Sequence, residues 1–79
     1  MSVPTPFHRL LADARPRTIL QPDAARAAGV SRGTLSLWER GQLVPSVAEV
    51  VALWELYGTP EPARADMLAA VRDAAAGRP

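Results

Sequence analysis

The chain has 79 residues, no cysteine and a single histidine, and its formal net charge is only +1. This length allows one small domain with a modest core, and the lack of thiols excludes disulfides and thiolate metal sites. No apolar run approaches the ~20 residues that span a bilayer, and prolines and charges interrupt the N-terminus where a signal peptide would lie. We therefore expect a cytoplasmic protein that is not an enzyme and needs no cofactor or metal.

The charges are distributed unevenly along the chain. Residues 1–40 carry six arginines against three acidic residues, a net +3, whereas residues 41–79 carry three arginines against five acidic residues, a net −2. Every basic residue is arginine, the side chain best suited to bidentate contacts with phosphate and guanine. The same bias, together with abundant alanine, also follows from GC-rich coding, so the composition leaves both explanations open.

The first predicted helix begins near Pro6, because proline favours the first helical position, with Thr5 as its cap. Its apolar residues at helical spacing are Phe7, Leu10, Leu11 and Ala14. Pro16 ends this helix. We expect residues 1–5 to be disordered, residues 6–76 to form the domain and residues 77–79 to fray.

A second helix is predicted at about Gln21–Ala28, followed by a tight turn. Gly29 ends this helix, because glycine enters the left-handed backbone region without a Cβ penalty. Ala25 lies where two helices would cross closely, and only a small side chain fits such a crossing. Both residues therefore predict that another helix follows the turn and packs closely against this one.

The third predicted helix runs over about Arg32–Arg40 and ends at Gly41. Ser31 caps it by accepting a hydrogen bond from a backbone N–H two or three residues on. Leu35 and Trp38 fall on one face at i, i+3 spacing and define its inward side. At ~100° per residue, the outward positions are Gly33, Ser36, Leu37 and Arg40, with Arg32 on the flank.

The fourth helix is marked by Ser46 and Glu49, which match the S-x-x-E capping box, and it ends at Gly58. The fifth helix is predicted to begin near Thr59–Pro60. The apolar positions expected to face inward on these two helices are Val47, Val50, Leu53, Trp54, Tyr57, Met67, Leu68, Val71 and Ala75. No strand pattern interrupts the series, so the predicted fold is all-α with five helices.

The second and third helices resemble the DNA-binding helix-turn-helix of the Cro/phage-repressor family, also called the xenobiotic-response-element family. The residues that carry the resemblance are Gln21, Ala25, Gly29, Val30, Ser31, Leu35, Trp38, Glu39 and Gly41. The most specific segment is GVSRGTLSLWERG at residues 29–41. The likeness extends more weakly over roughly residues 6–76, whose tail is similar to the last helices of such domains in regulators of high-GC bacteria. The chain departs from the family at Leu20, where a Ser or Thr cap is usual, and at Gln42-Leu43, where basic residues often stand.

The resemblance implies how the helices would meet DNA, with the third helix in the major groove. The residues with implied base contacts are Arg32, Gly33 and Leu37. Those with implied phosphate contacts are Gln21, Ser31 and Arg40, and Ser36 would contact either a base or a phosphate. The family also often pairs the acid at Glu39 with an arginine of the first helix, for which Arg15 is the candidate here.

Each of these assignments has a plainer alternative. Arg32 is suited to guanine O6 and N7, but it would serve equally as a phosphate contact or a solvated side chain. Gly33 costs ~1 kcal/mol of helix stability against alanine, which reflects either close approach to the groove or sequence drift. Exposed polar residues such as Ser36 and Gln21 are often merely solvated. His8 has no partner at a spacing that indicates catalysis.

The sequence therefore predicts a compact repressor-like domain that binds double-stranded DNA sequence-specifically as a transcription regulator. Because one small module buries limited surface, we expect a homodimer on a two-fold site. The alternative is a protein-interaction or dimerisation module that retains the fold. It is favoured by the low net charge, by the outward Leu37 and by the missing basic residues after Gly41. No membrane partner and no small-molecule site is evident.

Overall fold

A computed structural model describes residues 5–77 of the chain. Its helices are α1 (Phe7–Ala14), α2 (Gln21–Ala28), α3 (Arg32–Glu39), α4 (Val47–Tyr57) and α5 (Ala63–Ala75), with no strand among the described residues. The all-α, five-helix prediction is confirmed. Disorder was predicted for residues 1–5 and fraying for residues 77–79, and of these, residues 1–4 and 78–79 lie outside the described residues.

The helices enclose one core, in which the indole of Trp38 is the largest fully buried side chain. α1 packs against α3 and α5, α2 packs against α3 and α4, and α4 packs against α5. The buried apolar residues are Phe7, Leu11, Ala24, Ala25, Leu35, Trp38, Val50, Leu53, Tyr57, Met67 and Val71. Every helix contributes at least two of them, so no helix is held by its connections alone.

The predicted start and end of α4 are confirmed. The backbone N–H of Glu49 donates to Oγ of Ser46 at 3.2 Å, and the Ser46 N–H donates to Oε1 of Glu49 at 2.8 Å. These reciprocal bonds satisfy two N–H groups that the first helical turn leaves without partners. Gly58 ends the helix at φ +67°, a left-handed conformation that glycine adopts without strain.

One predicted helix start and one predicted helix cap were wrong. α5 begins at Ala63 and not near Thr59–Pro60. Residues that precede a proline disfavour helical backbone, and Thr59 and Glu61 both do so, which delays the helix by about one turn. At α1, Pro6 occupies the cap position itself and no side chain caps the helix, so the proposed Thr5 cap does not form.

The predicted inward faces of α4 and α5 are correct at their centres and wrong at their margins. Val50, Leu53, Met67 and Val71 are buried. In contrast, Val47 is 40% exposed, because it lies in the first turn of α4 at the edge of the packed face. Ala75 is also exposed, and Ala74 packs against the core in its place.

Candidate nucleic-acid interface

The turn between α2 and α3 has the local geometry that the sequence predicts. Gly29 ends α2 at φ +74°, and the following N–H, that of Val30, donates to the carbonyl of Ala25 at 2.9 Å. Ala25 is only 2% exposed, as expected for a small residue at a helix crossing. The turn therefore holds the start of α3 close beside the end of α2.

α3 is oriented as its apolar spacing predicts. Leu35 and Trp38 are each 1% exposed, while Arg32, Gly33 and Arg40 are exposed. The two other predicted contact residues within α3, Ser36 and Leu37, are half-buried. The outer face is therefore polar and basic at both ends and has an apolar side chain near its middle.

Leu37 is not among the partly buried hydrophobic residues that pack against the core. Its side chain is therefore half-buried without belonging to the core-packed set. The backbone at this position is also engaged, because the Leu37 carbonyl accepts a hydrogen bond from the N–H of Gln42 at 2.9 Å. Leu37 remains available for a contact outside the domain.

Ser31 holds the N-terminus of α3, which confirms its predicted role as a cap. Its Oγ accepts the backbone N–H of Thr34 at 3.1 Å and lies 3.0 Å from Oγ1 of the same residue. The Thr34 hydroxyl is thereby used locally. Arg32 and Gly33 form the first exposed turn of α3, where backbone N–H groups and the helix dipole favour an anion.

Four side chains form a hydrogen-bonded network between α1, α2 and α3. Arg15 Nε donates to Oε2 of Glu39 at 2.9 Å, and Arg15 Nη2 donates to Oε1 at 3.2 Å. The predicted pairing of Glu39 with Arg15 is therefore confirmed. The side chain of Glu39 is 9% exposed and that of Arg15 is 23% exposed, so solvent screens this pair less than a surface pair. The hydrogen bond to Glu39 raises the pKa of Arg15 above its ordinary value.

Gln21 continues this network to the surface. Its Nε2 donates to Oε1 of Glu39 at 3.0 Å, and its Oε1 accepts from Nε of Arg32 at 3.3 Å. Both ends of the Gln21 amide thus have partners within the domain. The sequence had no signal for this bridge, because Gln21 and Arg32 lie on different helices with no spacing rule between them.

Gly33, inside α3, and Gly41, just after it, differ in whether the fold requires glycine. A Cβ added at Gly33 would meet nothing closer than Oγ of Ser31 at 3.8 Å, an ordinary contact. At Gly41, in contrast, φ is +77° and a Cβ would lie 2.8 Å from Nδ1 of His8. The domain's own packing therefore requires glycine at position 41 and does not require it at position 33. The contact also gives His8 a structural role that the sequence did not indicate.

Arg40 lies at the C-terminal end of the outer face, where it follows the last residue of α3. Its Nε donates to the Ser36 carbonyl at 3.4 Å, a weak bond at an exposed position. The guanidinium is held over the end of the helix, whose last carbonyls favour a positive charge. Arg32 and Arg40 consequently place two cations at opposite ends of α3.

A family model described as a helix-turn-helix domain matches residues 9–67. The matched range contains α2, α3 and α4 in full and most of α1, and it ends inside α5. No curated protein and no solved structure matches the chain significantly. Among the described residues, no helix has the length and apolar character to cross a lipid bilayer.

Proposed function

The chain belongs to a helix-turn-helix domain family within the Cro-like superfamily, and from that premise we propose that it binds duplex DNA sequence-specifically as a transcription regulator. The observation that carries the proposal is the orientation of α3. Its apolar face is buried through Leu35 and Trp38, and the opposite face exposes Arg32, Gly33 and Arg40. An α-helix with its side chains is about 10–12 Å across, so the major groove, which is about 12 Å wide, admits α3.

In this proposal the N-terminal half of the outer face reads bases. Arg32 donates to O6 and N7 of a guanine, the commonest specific contact in the major groove. Gly33 allows the backbone to approach the base edges, and Leu37 packs against a thymine methyl. Gln21 orients Arg32 through the hydrogen bond at 3.3 Å, which favours one direction of the guanidinium.

The remaining contacts fix the domain on the phosphate backbone and carry little sequence information. The amide nitrogen of Gln21 has two hydrogens, and one of them donates to Glu39. The other would donate to a phosphate. Ser31 and Arg40 lie at the two ends of α3, where each would meet a different strand. Ser36, half-buried between them, contacts either a base or a phosphate.

The proposed complex contains two copies of the chain on a two-fold operator. A single module of this size buries limited surface on DNA, and its net charge of +1 provides modest attraction to phosphate. Two copies double both contributions, and a symmetric dimer matches a palindromic site. Half-sites would then lie about one helical turn apart, ~10 bp from centre to centre.

A second function, a protein-interaction module, is favoured by a different set of observations. Leu37 lies outside the core-packed set, and Leu43, which follows α3, is 44% exposed. Both side chains are apolar where a DNA-binding surface usually carries polar or basic residues. This alternative predicts self-association or partner binding that does not depend on DNA.

The experiment that tests the proposal is selection of bound sequences from a random pool of duplexes, followed by titration of the selected duplex at several salt concentrations. We expect an inverted repeat, and we expect affinity to fall as salt rises, because phosphate-bound counterions are released. A selected single half-site that binds one copy with no gain from a second would contradict the dimer. An unenriched pool and no binding at low salt would favour the interaction module.

A further inference from the structure

A cavity of about 300 Å³ lies between α1 and α5, on the side where the α4–α5 connection closes the bundle. Its lining includes the apolar side chains of Leu10, Ala63 and Met67 together with Tyr57 and Thr59. The volume is at the lower end of the range that holds small molecules in proteins. None of the residues predicted to contact DNA lines it, so this cavity is separate from the proposed DNA surface.

Two buried hydroxyl oxygens without a hydrogen-bond partner among the described residues belong to side chains that line this cavity. They are Oη of Tyr57 and Oγ1 of Thr59, and their residues are 9% and 6% exposed. Buried polar groups in folded proteins almost always have a partner, because leaving one unpaired forfeits its hydration without replacement. Both oxygens are covered in the ligand-free domain, so they would fix a ligand's orientation once the wall moves to uncover them.

The backbone groups of Thr59 are hydrogen-bonded, and only its side-chain hydroxyl lacks a partner among the described residues. Its backbone N–H donates to the Trp54 carbonyl at 3.0 Å, and its own carbonyl accepts from Nε of Arg64. The Arg64 guanidinium in turn lies 5.5 Å from the centre of the Trp54 ring. These contacts hold the Thr59 backbone in place, so the hydroxyl belongs to a fixed segment beside the cavity.

The charge of this region favours a cationic ligand. Asp13 lines the cavity, and a neighbouring cavity of about 310 Å³, which shares Leu10, is lined by Asp66 and Asp73. Among the described residues no arginine lines either cavity, although Arg64 donates to the carbonyl of Thr59 and the charge of Arg15 acts on Tyr57. Arg15 is already paired with Glu39. Three carboxylates therefore outnumber the one remaining guanidinium, that of Arg64, and their excess attracts positive charge and repels an anion.

We propose that the α1–α5 cavity binds a small organic ammonium, whose N–H groups donate to Tyr57, Thr59 and Asp13 while its apolar body packs against Leu10 and Met67. An ammonium has three donors and no acceptor, and all three proposed partners offer acceptor oxygens. Both hydroxyl oxygens are covered in the ligand-free domain, so binding requires a small movement of the wall. Met67 suits that movement, because its unbranched thioether side chain changes rotamer readily. This inference goes beyond DNA binding and does not rest on it.

The test is a titration followed by NMR, with three probes that share a phenyl ring and differ in charge: 2-phenylethylamine, benzyl alcohol and phenylacetate. We expect saturable shifts at Tyr57, Thr59 and Met67 with the amine, and weaker or absent shifts with the neutral and anionic probes. Asp13→Asn should weaken amine binding about tenfold, the change that loss of one charge-assisted hydrogen bond produces. Tyr57→Phe combined with Thr59→Val should weaken it by at least as much.

The matched control is Glu55→Gln, which removes an exposed carboxylate from α4 without touching the cavity lining. It should bind the amine as tightly as the unmodified chain. Asp13 is exposed, so its variant folds even if the buried double variant does not. Equal binding of all three probes, unchanged affinity of Asp13→Asn, or amine shifts that lie elsewhere on the domain would each overturn the proposal.

Discussion

Nε of Arg15 lies 2.9 Å from Oε2 of Glu39, although the two residues are 24 positions apart in the chain. This pair joins the end of α1 to the last turn of α3. The same carboxylate accepts the amide of Gln21 at 3.0 Å, and Gln21 in turn accepts from Arg32. One nearly buried carboxylate thus orients residues on both helices of the helix-turn-helix.

The first prediction concerns this carboxylate. Glu39→Gln keeps the side chain's shape but removes the charge that Arg15 and Gln21 share. Loss of charge-assisted hydrogen bonds at this site should cost about 1–3 kcal/mol of unfolding free energy. Denaturant unfolding measures the loss, and Glu55→Gln, which removes an exposed carboxylate, serves as the control. A loss no greater than that of the control would show that the network contributes nothing to stability.

Gly33→Ala is expected to change stability and DNA affinity in opposite directions. The added methyl group meets only Oγ of Ser31 at 3.8 Å, and alanine is the better helix former, so stability should rise by up to about 1 kcal/mol. DNA affinity should fall, because the methyl group would stand between the backbone and the base edges. A melting curve and a binding titration on the same sample measure both effects. Unchanged affinity would remove Gly33 from the proposed base contacts.

Leu37 and Trp38 are adjacent in sequence, but alanine substitution should mainly weaken DNA binding at Leu37 and mainly reduce stability at Trp38. Trp38→Ala should cost ~3–5 kcal/mol of unfolding free energy, because the indole is fully buried. Leu37→Ala should cost no more than about 1 kcal/mol, since the side chain is half-buried and does not pack on the core. It should nevertheless weaken operator binding, with the loss concentrated at one T·A pair.

The Leu37 variant also distinguishes the two proposed functions. If it leaves DNA affinity unchanged and reduces self-association measured by sedimentation, Leu37 belongs to a protein interface. Such a result would support the interaction module. Weaker operator binding with unchanged association would support the DNA-binding role.

Because the pKa of Tyr57 is raised in the folded domain, we expect the protein to lose stability at high pH. Burial first, and the nearby charge of Glu39 second, raise the pKa of Tyr57 from 10 to about 12. Because the folded state keeps this proton while the unfolded state releases it, stability is fully present below pH 10 and falls as pH rises to about 12. The loss is at most ~2–3 kcal/mol. The chain has one tyrosine, no cysteine and no lysine, so few other side chains titrate in this window.

Denaturant unfolding at pH 8, 10 and 11.5 measures the effect. Tyr57→Phe should flatten the dependence between pH 10 and 12, because phenylalanine has no proton to release. It should also leave stability at pH 8 unchanged or higher, since the hydroxyl that it removes has no partner among the described residues. A variant with the same fall as the unmodified chain would assign the pH dependence to another group.

Most of the fold was predictable from local signals. Gly29 and Gly58 marked helix ends, Ser31 and Ser46 marked helix starts, and the spacing of Leu35 and Trp38 gave the orientation of α3. Each of these signals acts within about one helical turn, where sequence separation and spatial distance are closely related. The start of α5 was missed, although the two X-Pro steps that delay it are also local.

The contacts between distant residues were mostly not predictable. Spacing rules say nothing about which side chain of one helix meets another, so the bridge from Gln21 to Arg32 and the packing of His8 on Gly41 appeared only in the structure. The Arg15–Glu39 pair was predicted because the family resemblance supplied it. The cavity at Tyr57 and Thr59 left no sequence pattern, since its lining comes from three separate segments.

The proposed roles on α3, with Arg32 reading a base and Arg40 contacting phosphate, are distinguished by one set of binding measurements. The affinities of the unmodified chain, Arg32→Ala and Arg40→Ala are measured against the selected operator and every single-base variant of it. Arg32→Ala should lose ~1–3 kcal/mol on the operator and its preference at one position only. Arg40→Ala should weaken all duplexes alike. Equal effects of both substitutions on base preference, or a retained preference in Arg32→Ala, would contradict the account.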